Sequence, residues 1–260
     1  MSDEAALIEA LRAAAGLPAG AVERFDHGAS GDVTVCIGAV FAKIANPARR
    51  ISREGLAREA AALRWLDGRG GAPRVLRSGQ VEGRPAMVVE LLPGNPIHAL
   101  PPNEAEAALI AAIHALHSLH GLPVLDCPLD QRLVAKIAEA RQRIAEGEAE
   151  PRIFDAGRTG RTASELFEEL IATAPAEADA VFTLGDACLP NFILNGDWVG
   201  VVDLGLAGVG DPYCDFALLL RSAASNFPDI DARALLVAHY PLPELDDAKI
   251  AFFQRRDAFF

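Results

Sequence analysis

The hydrophobic pattern of this 260-residue chain changes period at Leu91-Leu92-Pro93-Gly94, and that change limits the folds open to it. Ahead of the break the apolar residues fall in short β-rich runs broken by glycine. VERFDHG, GDVTVCIG and AVFAKIA occupy residues 21–45, and two more runs lie around 75–80 and 85–91. Short runs bounded in this way predict strands. One helical stretch interrupts them: in SREGLAREAAALRWLD, residues 52–67, Leu56, Ala60, Leu63 and the Trp65-Leu66 pair recur at helical spacing. Residues 3–15 predict a short amphipathic helix with Ser2 as its N-cap. Behind the break the spacing is helical over 103–120, 130–146, 163–173, 212–224, 230–239 and 245–258, with a second β-rich stretch between the third and fourth of these. The pattern predicts an α+β protein. A small antiparallel-sheet lobe with one main helix takes residues 1–92, and a larger, mostly helical lobe takes 93–260. A junction of that kind is the usual place for a small-molecule cleft.

With 51% hydrophobic and 23% charged residues the composition is that of a soluble globular protein. The formal net charge of -12 argues against nucleic acid or an anionic membrane as partner, since both need basic patches. An acidic field favours cationic partners instead. No apolar run reaches the ~18 residues needed to span a bilayer. The acidic opening MSDEAALIEALRAAAG does not read as a secretion signal. Cys36, Cys127, Cys188 and Cys214 form no C-x-x-C pair and read as reduced thiols of a cytoplasmic protein without a structural zinc site. A monomer or weak homodimer is expected.

The β-rich stretch within the helical half concentrates the chemistry. In Leu184-Gly185-Asp186-Ala187-Cys188-Leu189-Pro190-Asn191, Asp186 is followed five residues on by Asn191, and Asp203 comes seventeen after it. That spacing suits phosphoryl transfer, with Asp186 orienting a hydroxyl nucleophile and Asn191 and Asp203 offering hard oxygens to magnesium. D-x-x-x-x-N is also the pattern of a turn whose Asx side chains bond their own backbone. Asp203 favours the first reading, because it ends an apolar strand, where a charge is costly unless paired or metal-bound.

Lys43 lies in the apolar run Val40–Ile44, and Glu59 shares a helix face with Leu56 and Leu63. An ion pair between them would aim the ammonium at the α- and β-phosphates. The alternative is an edge-strand lysine snorkelling to solvent beside a surface glutamate. Gly28-Ala29-Ser30-Gly31 either lays backbone N–H groups over the phosphates or is a plain hairpin turn. No G-x-x-x-x-G-K-[ST], G-x-S-x-G or H-E-x-x-H occurs, which disfavours P-loop enzymes and the commonest hydrolases. His114, His117 and His120 recur every three residues, drift around a 3.6-residue helix and are poorly placed to share one metal ion.

GDACLPN, VDLG, GVGDPYCDFALLLR and KIAFFQRRDAFF together resemble the aminoglycoside 3'-phosphotransferases, and the resemblance runs from about residue 18 to 260. It implies a bilobal protein-kinase-like fold and transfer of the ATP γ-phosphoryl group to the 3'-hydroxyl of kanamycin- or neomycin-type antibiotics, conferring resistance. GTP stays open beside ATP as donor. The resemblance implies Asp186 as the catalytic aspartate, Asn191 and Asp203 as Mg2+ ligands, and Lys43 with Glu59 as the phosphate-positioning pair. Glu90 and Leu92 fall where main-chain groups contact adenine. Asp155, Asp257 and the terminal carboxylate of Phe260 fall on acidic positions that pair with the drug's ammonium groups, and Arg221 is grouped with them.

The departures are specific. Ala156, Ala258, Ser222 and Ser225 stand where relatives carry acids, and Leu206 where an arginine often follows. At about 0.5–1 kcal/mol per charge pair, four missing acids lower affinity for a polycation by roughly one to three orders of magnitude. Leu184 replaces the usual histidine of the loop, which removes a polar tether and leaves Asp186 less preorganised. Two further readings stay open on these grounds: a kinase of another small hydroxylated metabolite, such as a sugar or amino-alcohol, and a catalytically silent nucleotide-binding protein.

Overall fold

The computed structural model describes residues 3–17, 21–24, 31–149, 160–176, 180–242 and 244–260. The chain forms two compact units, each made of two stretches of sequence: Met1–Asn95 with Ile193–Ala207, and Pro96–Phe192 with Gly208–Phe260. The division expected at residue 92 was continuous, whereas residues 193–207 cluster with the first unit.

The first unit opens with α1 (Asp3–Ala15), followed by β1 (Val22–Arg24), β2 (Val33–Ile37), β3 (Val40–Ile44), α2 (Arg50–Leu66), β4 (Val75–Val81) and β5 (Arg84–Glu90). The strands make one antiparallel sheet in the order β1-β2-β3-β5-β4. Two left-handed residues, Glu82 and Gly83, turn β4 into β5, the conformation that suits a two-residue hairpin with right-twisted strands. Alternation along the strands sends Val35, Ile37, Ala42, Ile44, Ala86 and Val88 into one core with Leu7, Ile8 and Leu11 of α1. Lys43 points to the opposite face, where it meets α2. It lies on β3 in the middle of the sheet, so the edge-strand alternative does not hold.

The chain leaves the first unit at β6 (Asn95–Pro96) and builds α3 (Pro102–His120), α4 (Leu133–Ala145), α5 (Ala163–Ile171) and β7 (Val181–Thr183). It then forms the hairpin β8 (Phe192–Asn195) and β9 (Trp198–Val201), and closes with β10 (Gly208–Gly210), α6 (Tyr213–Asn226), α7 (Ala232–His239) and α8 (Asp247–Asp257). β10 pairs antiparallel with β7. The helix predicted from residue 130 starts three residues later, because Asp130 bridges Val209 and Gln131 N–H donates to the Val209 carbonyl. Tyr213 to Leu220 are all buried, which makes α6 a core helix that packs against α7 and α8.

Two glycines explain how the β8–β9 hairpin joins the first unit. A Cβ on Gly94 would lie 2.3 Å from the Leu194 carbonyl oxygen, and one on Gly71 would lie 2.4 Å from that of Val199. Both residues have positive φ, so each position is closed to a side chain by space and by conformation.

Candidate active site

In the first unit Lys43, Glu59 and Asp203 come together. Lys43 Nζ donates to both Glu59 carboxylate oxygens and to Asp203 Oδ1, each at 2.9 Å. Lys43 and Glu59 are nearly enclosed, while the Asp203 side chain is 58% exposed. Burial works against the Lys43 ammonium, but Glu59 and then Asp203 outweigh it and hold its pKa above the ordinary value. Burial pushes the Glu59 carboxyl upward, and the Lys43 ammonium and the Leu204 N–H oppose that.

A second set of bonds fixes the start of α2 and therefore Glu59. Asp32 Oδ1 accepts from Asn46 N–H at 2.8 Å and from the Ser52 hydroxyl, and Asn46 N–H also reaches Ser52 Oγ at 2.7 Å. Asn46 follows β3, Ser52 lies in the first turn of α2, and Glu59 comes two turns later on the same face. Asp203 has φ +60, a left-handed conformation uncommon outside glycine and tolerated by Asp. The left-handed residue of Asp203-Leu204-Gly205 is thus the aspartate itself.

Glu90 and Leu92 are held by the same unit. Glu90 Oε2 accepts from Arg74 N–H at 3.1 Å, Glu90 N–H donates to the Arg74 carbonyl, and Leu91 N–H donates to that of Ala39. Leu92 and Trp198 close on Gly200, where a Cβ would meet them at 2.7 and 2.6 Å. Ser30 and Asp155, with Ser2, Gly28, Ala29 and Ala156, lie outside the described residues.

In the second unit Asp186 lies between β7 and a single 3-10 turn, Leu189–Asn191. Asn191 Nδ2 donates to the Asp186 carbonyl at 2.9 Å and to Asp186 Oδ2 at 3.1 Å. Its amide nitrogen is spent on the loop, and Oδ1 is the side-chain atom with the chemistry to bind a metal. The loop is tethered without a histidine at 184. Leu184 N–H donates to Asp215 Oδ2 and Gly185 N–H to Asp215 Oδ1, both at 2.8 Å, while the Leu184 side chain is buried. Gly185 has φ +76, which lets both amides face one carboxylate. Asp215 has no exposure; it also meets His120 Nε2 at 3.0 Å, and His120 Nδ1 meets the Tyr240 hydroxyl at 2.9 Å.

The three histidines of α3 do not converge on one point in these contacts. His120 holds Asp215, His114 lies edge-on to His239, and His117 lies edge-on to Tyr240. Sequence reasoning missed Asp215, His120, Tyr240 and the Asp32–Ser52 bond. One signal was available for Asp215: it is the one charge in the apolar stretch Tyr213–Leu220, the same argument that marked Asp203.

Of the residues expected on the acceptor side, Arg221 and Asp257 are brought together, with Nη2 2.6 Å from Oδ2. Burial weakens the Arg221 charge, but Asp257 outweighs it and raises the pKa. Cys188 lies among Asp186, Arg221 and Asp257, and burial, then Asp186, pushes its thiol up to about 12. Phe260 presents its ring to cations: Lys136 Nζ sits 3.6 Å from the ring centre and the Arg143 guanidinium carbon 5.4 Å. Ser222 Oγ accepts from Leu189 N–H, and Ser225 Oγ donates to the Arg221 carbonyl.

Comparison with known proteins agrees with this chemistry. Residues 21–251 match the phosphotransferase enzyme family known as APH. An aminoglycoside 3'-phosphotransferase of Streptomyces fradiae is 36% identical over 230 residues, 85% of each chain. The crystal structure of a type VIII aminoglycoside-3'-phosphotransferase superposes with a TM-score of 0.84 at 30% identity, over 98% of this chain and 99% of that one. Aminoglycoside phosphotransferase APH(3'')-Id of Streptomyces rimosus, solved with ADP and streptomycin, superposes with a TM-score of 0.82 at 27% identity, over 100% and 99%. The expected α+β, protein-kinase-like architecture is thus the one found, and the chain belongs to the APH phosphotransferase enzyme family as an aminoglycoside phosphotransferase-type kinase.

Proposed function

We propose that this protein transfers the γ-phosphoryl group of ATP to the 3'-hydroxyl of kanamycin- or neomycin-type aminoglycosides. The observation that carries the reaction type is Lys43 bridging Glu59 and Asp203 at 2.9 Å. Lys43 holds the α- and β-phosphates, Glu59 aims it, and main-chain groups at Glu90 and Leu92 meet the adenine. Asp186 orients the acceptor hydroxyl and takes its proton. The acceptor oxygen bonds to the γ-phosphorus as the bond to the β,γ-bridging oxygen breaks, leaving ADP. Asn191 Oδ1 and the Asp203 carboxylate are hard oxygen donors suited to magnesium. When bound, the ion neutralises charge on the phosphates. Arg221, Asp257 and Phe260 are assigned to the acceptor side, and Asp155 joins them on the resemblance alone.

The 3' position follows the Streptomyces fradiae relative and the type VIII structure. A 3''-kinase of streptomycin-type drugs is the second reading, favoured by the superposition on the streptomycin complex. ADP release measured against kanamycin, neomycin, streptomycin and a sugar and amino-alcohol panel, with the product mapped by NMR, separates them. The expected product is the 3'-phosphate, and Asp186→Asn lowers kcat by about 10²–10⁴-fold while nucleotide binding persists. Turnover of streptomycin alone selects the second reading. No turnover of any aminoglycoside by a protein that binds ATP sinks both.

A further inference from the structure

Asn191 reaches its position on a one-turn 3-10 helix whose N-cap residue, Cys188, makes no side-chain capping bond. The first N–H of such a turn needs a partner from outside it. Leu189 N–H finds one 33 residues downstream, donating to Ser222 Oγ at 2.9 Å in a buried setting. The serine is itself oriented from within α6: Asn226 Nδ2 donates to the Ser222 carbonyl at 2.8 Å and lies 3.5 Å from its Oγ.

Ser222 lies seven residues beyond Asp215, two helical turns along the same face of α6. Asp215 holds the backbone just ahead of Asp186, at Leu184 and Gly185, and Ser222 holds it just behind, at Leu189. One helix face therefore grips the Asp186 loop on both sides. Just past the second grip Asn191 N–H closes the turn on the Cys188 carbonyl at 2.9 Å, and its side chain bonds back to Asp186. A shift at Leu189 moves Asn191 directly.

We propose that Ser222 is a positioning residue which, through Leu189, sets the turn that presents Asn191 Oδ1 and so governs how tightly the nucleotide-bound metal is held. The inference rests on the assignment of Asn191 as a metal ligand under Proposed function. Ser222 thus acts behind the loop and not in the acceptor subsite.

The test uses the full chain with a non-hydrolysable ATP analogue and Mn2+ as a spectroscopic probe for the metal. Nucleotide-dependent Mn2+ affinity is read by electron paramagnetic resonance in wild type, Ser222→Ala and Ser222→Thr, with thermal melting on the same samples. Ser222→Ala is expected to weaken Mn2+ binding about 10-fold, the order seen when an outer-shell partner is lost. Ser222→Thr keeps the hydroxyl and recovers most of that affinity, and acceptor KM is unchanged in both. If Ser222→Ala does not fold, Asn226→Ala takes its place with a smaller loss of the same sign. Unchanged Mn2+ affinity in the alanine variant, equal losses in the alanine and threonine variants, or a raised acceptor KM with metal affinity intact overturns the inference alone. A folded wild type without nucleotide-dependent Mn2+ binding removes the metal assignment of Asn191, and this inference with it.

Discussion

Asp215 shows how much one side chain carries when it has no access to water. Its two oxygens serve the Leu184 and Gly185 amides and the His120 ring. Asp215→Asn keeps the shape but replaces one acceptor with an NH2 group facing a donor. The expected loss is about 2–4 kcal/mol, the range for breaking buried charge-assisted bonds. Urea denaturation checks it, and kcat should fall with nucleotide affinity little changed.

The cysteines support a second prediction at this scale. Burial pushes Cys188 to about 12 and Cys36 to about 11, and it raises Cys127 and Cys214 as well. In the unfolded chain thiols ionise near pH ~8.5. From there upward the unfolded state has lost protons that the folded state keeps. Stability is therefore full below that pH and falls as pH rises toward 11–12. A thiol-specific reagent at pH 8 should react slowly with native protein and at once with denatured protein, and the urea midpoint should be lower at pH 10 than at pH 8.

Among elements, the β8–β9 hairpin depends on backbone-to-backbone contact, which is what Gly94 and Gly71 permit. Gly94→Ala places a methyl 2.3 Å from the Leu194 carbonyl at a residue with φ +122. Overpacking of that kind costs about 1–3 kcal/mol before the conformational strain is added. The expected outcome is a protein destabilised by at least that much, with weakened nucleotide affinity because Asp203 follows the hairpin. Denaturant titration and nucleotide titration read the two effects separately. Sequence pattern found Gly94 within the break between the β-rich and helical halves, which was the right residue for an incomplete reason. Periodicity reports which element a residue favours, and it is silent about which distant backbone comes to rest against it.

At the scale of the whole molecule, elements were legible and pairings were not. The strand runs, α2 and the helices of the second unit followed from apolar spacing, whereas spacing left the Lys43–Glu59 pair open beside a snorkelling lysine and the resemblance implied it. Residue 193–207 membership in the first unit was not legible, since nothing local in Ile193–Ala207 names its partner. The Asp215 tether was hidden for another reason: it acts on backbone amides, which every residue but proline carries, so Leu184 misled where a histidine had been expected. A fragment ending at Asn95 lacks the hairpin against which Gly94 and Gly71 are fitted, and it lacks Asp203. It should melt without cooperativity by circular dichroism, and joining Ile193–Ala207 through a flexible linker should restore a sharp transition.

Lys43 and Asp203 stand 160 positions apart in the chain. On a ribosome adding about 5–20 residues each second, Asp203 is made roughly 8–30 s after Lys43. During that interval the first sheet can form and Glu59 can find Lys43, yet the third member of the cluster does not exist. The unit begun first is thus finished late, and Lys43 spends its early life with a single carboxylate.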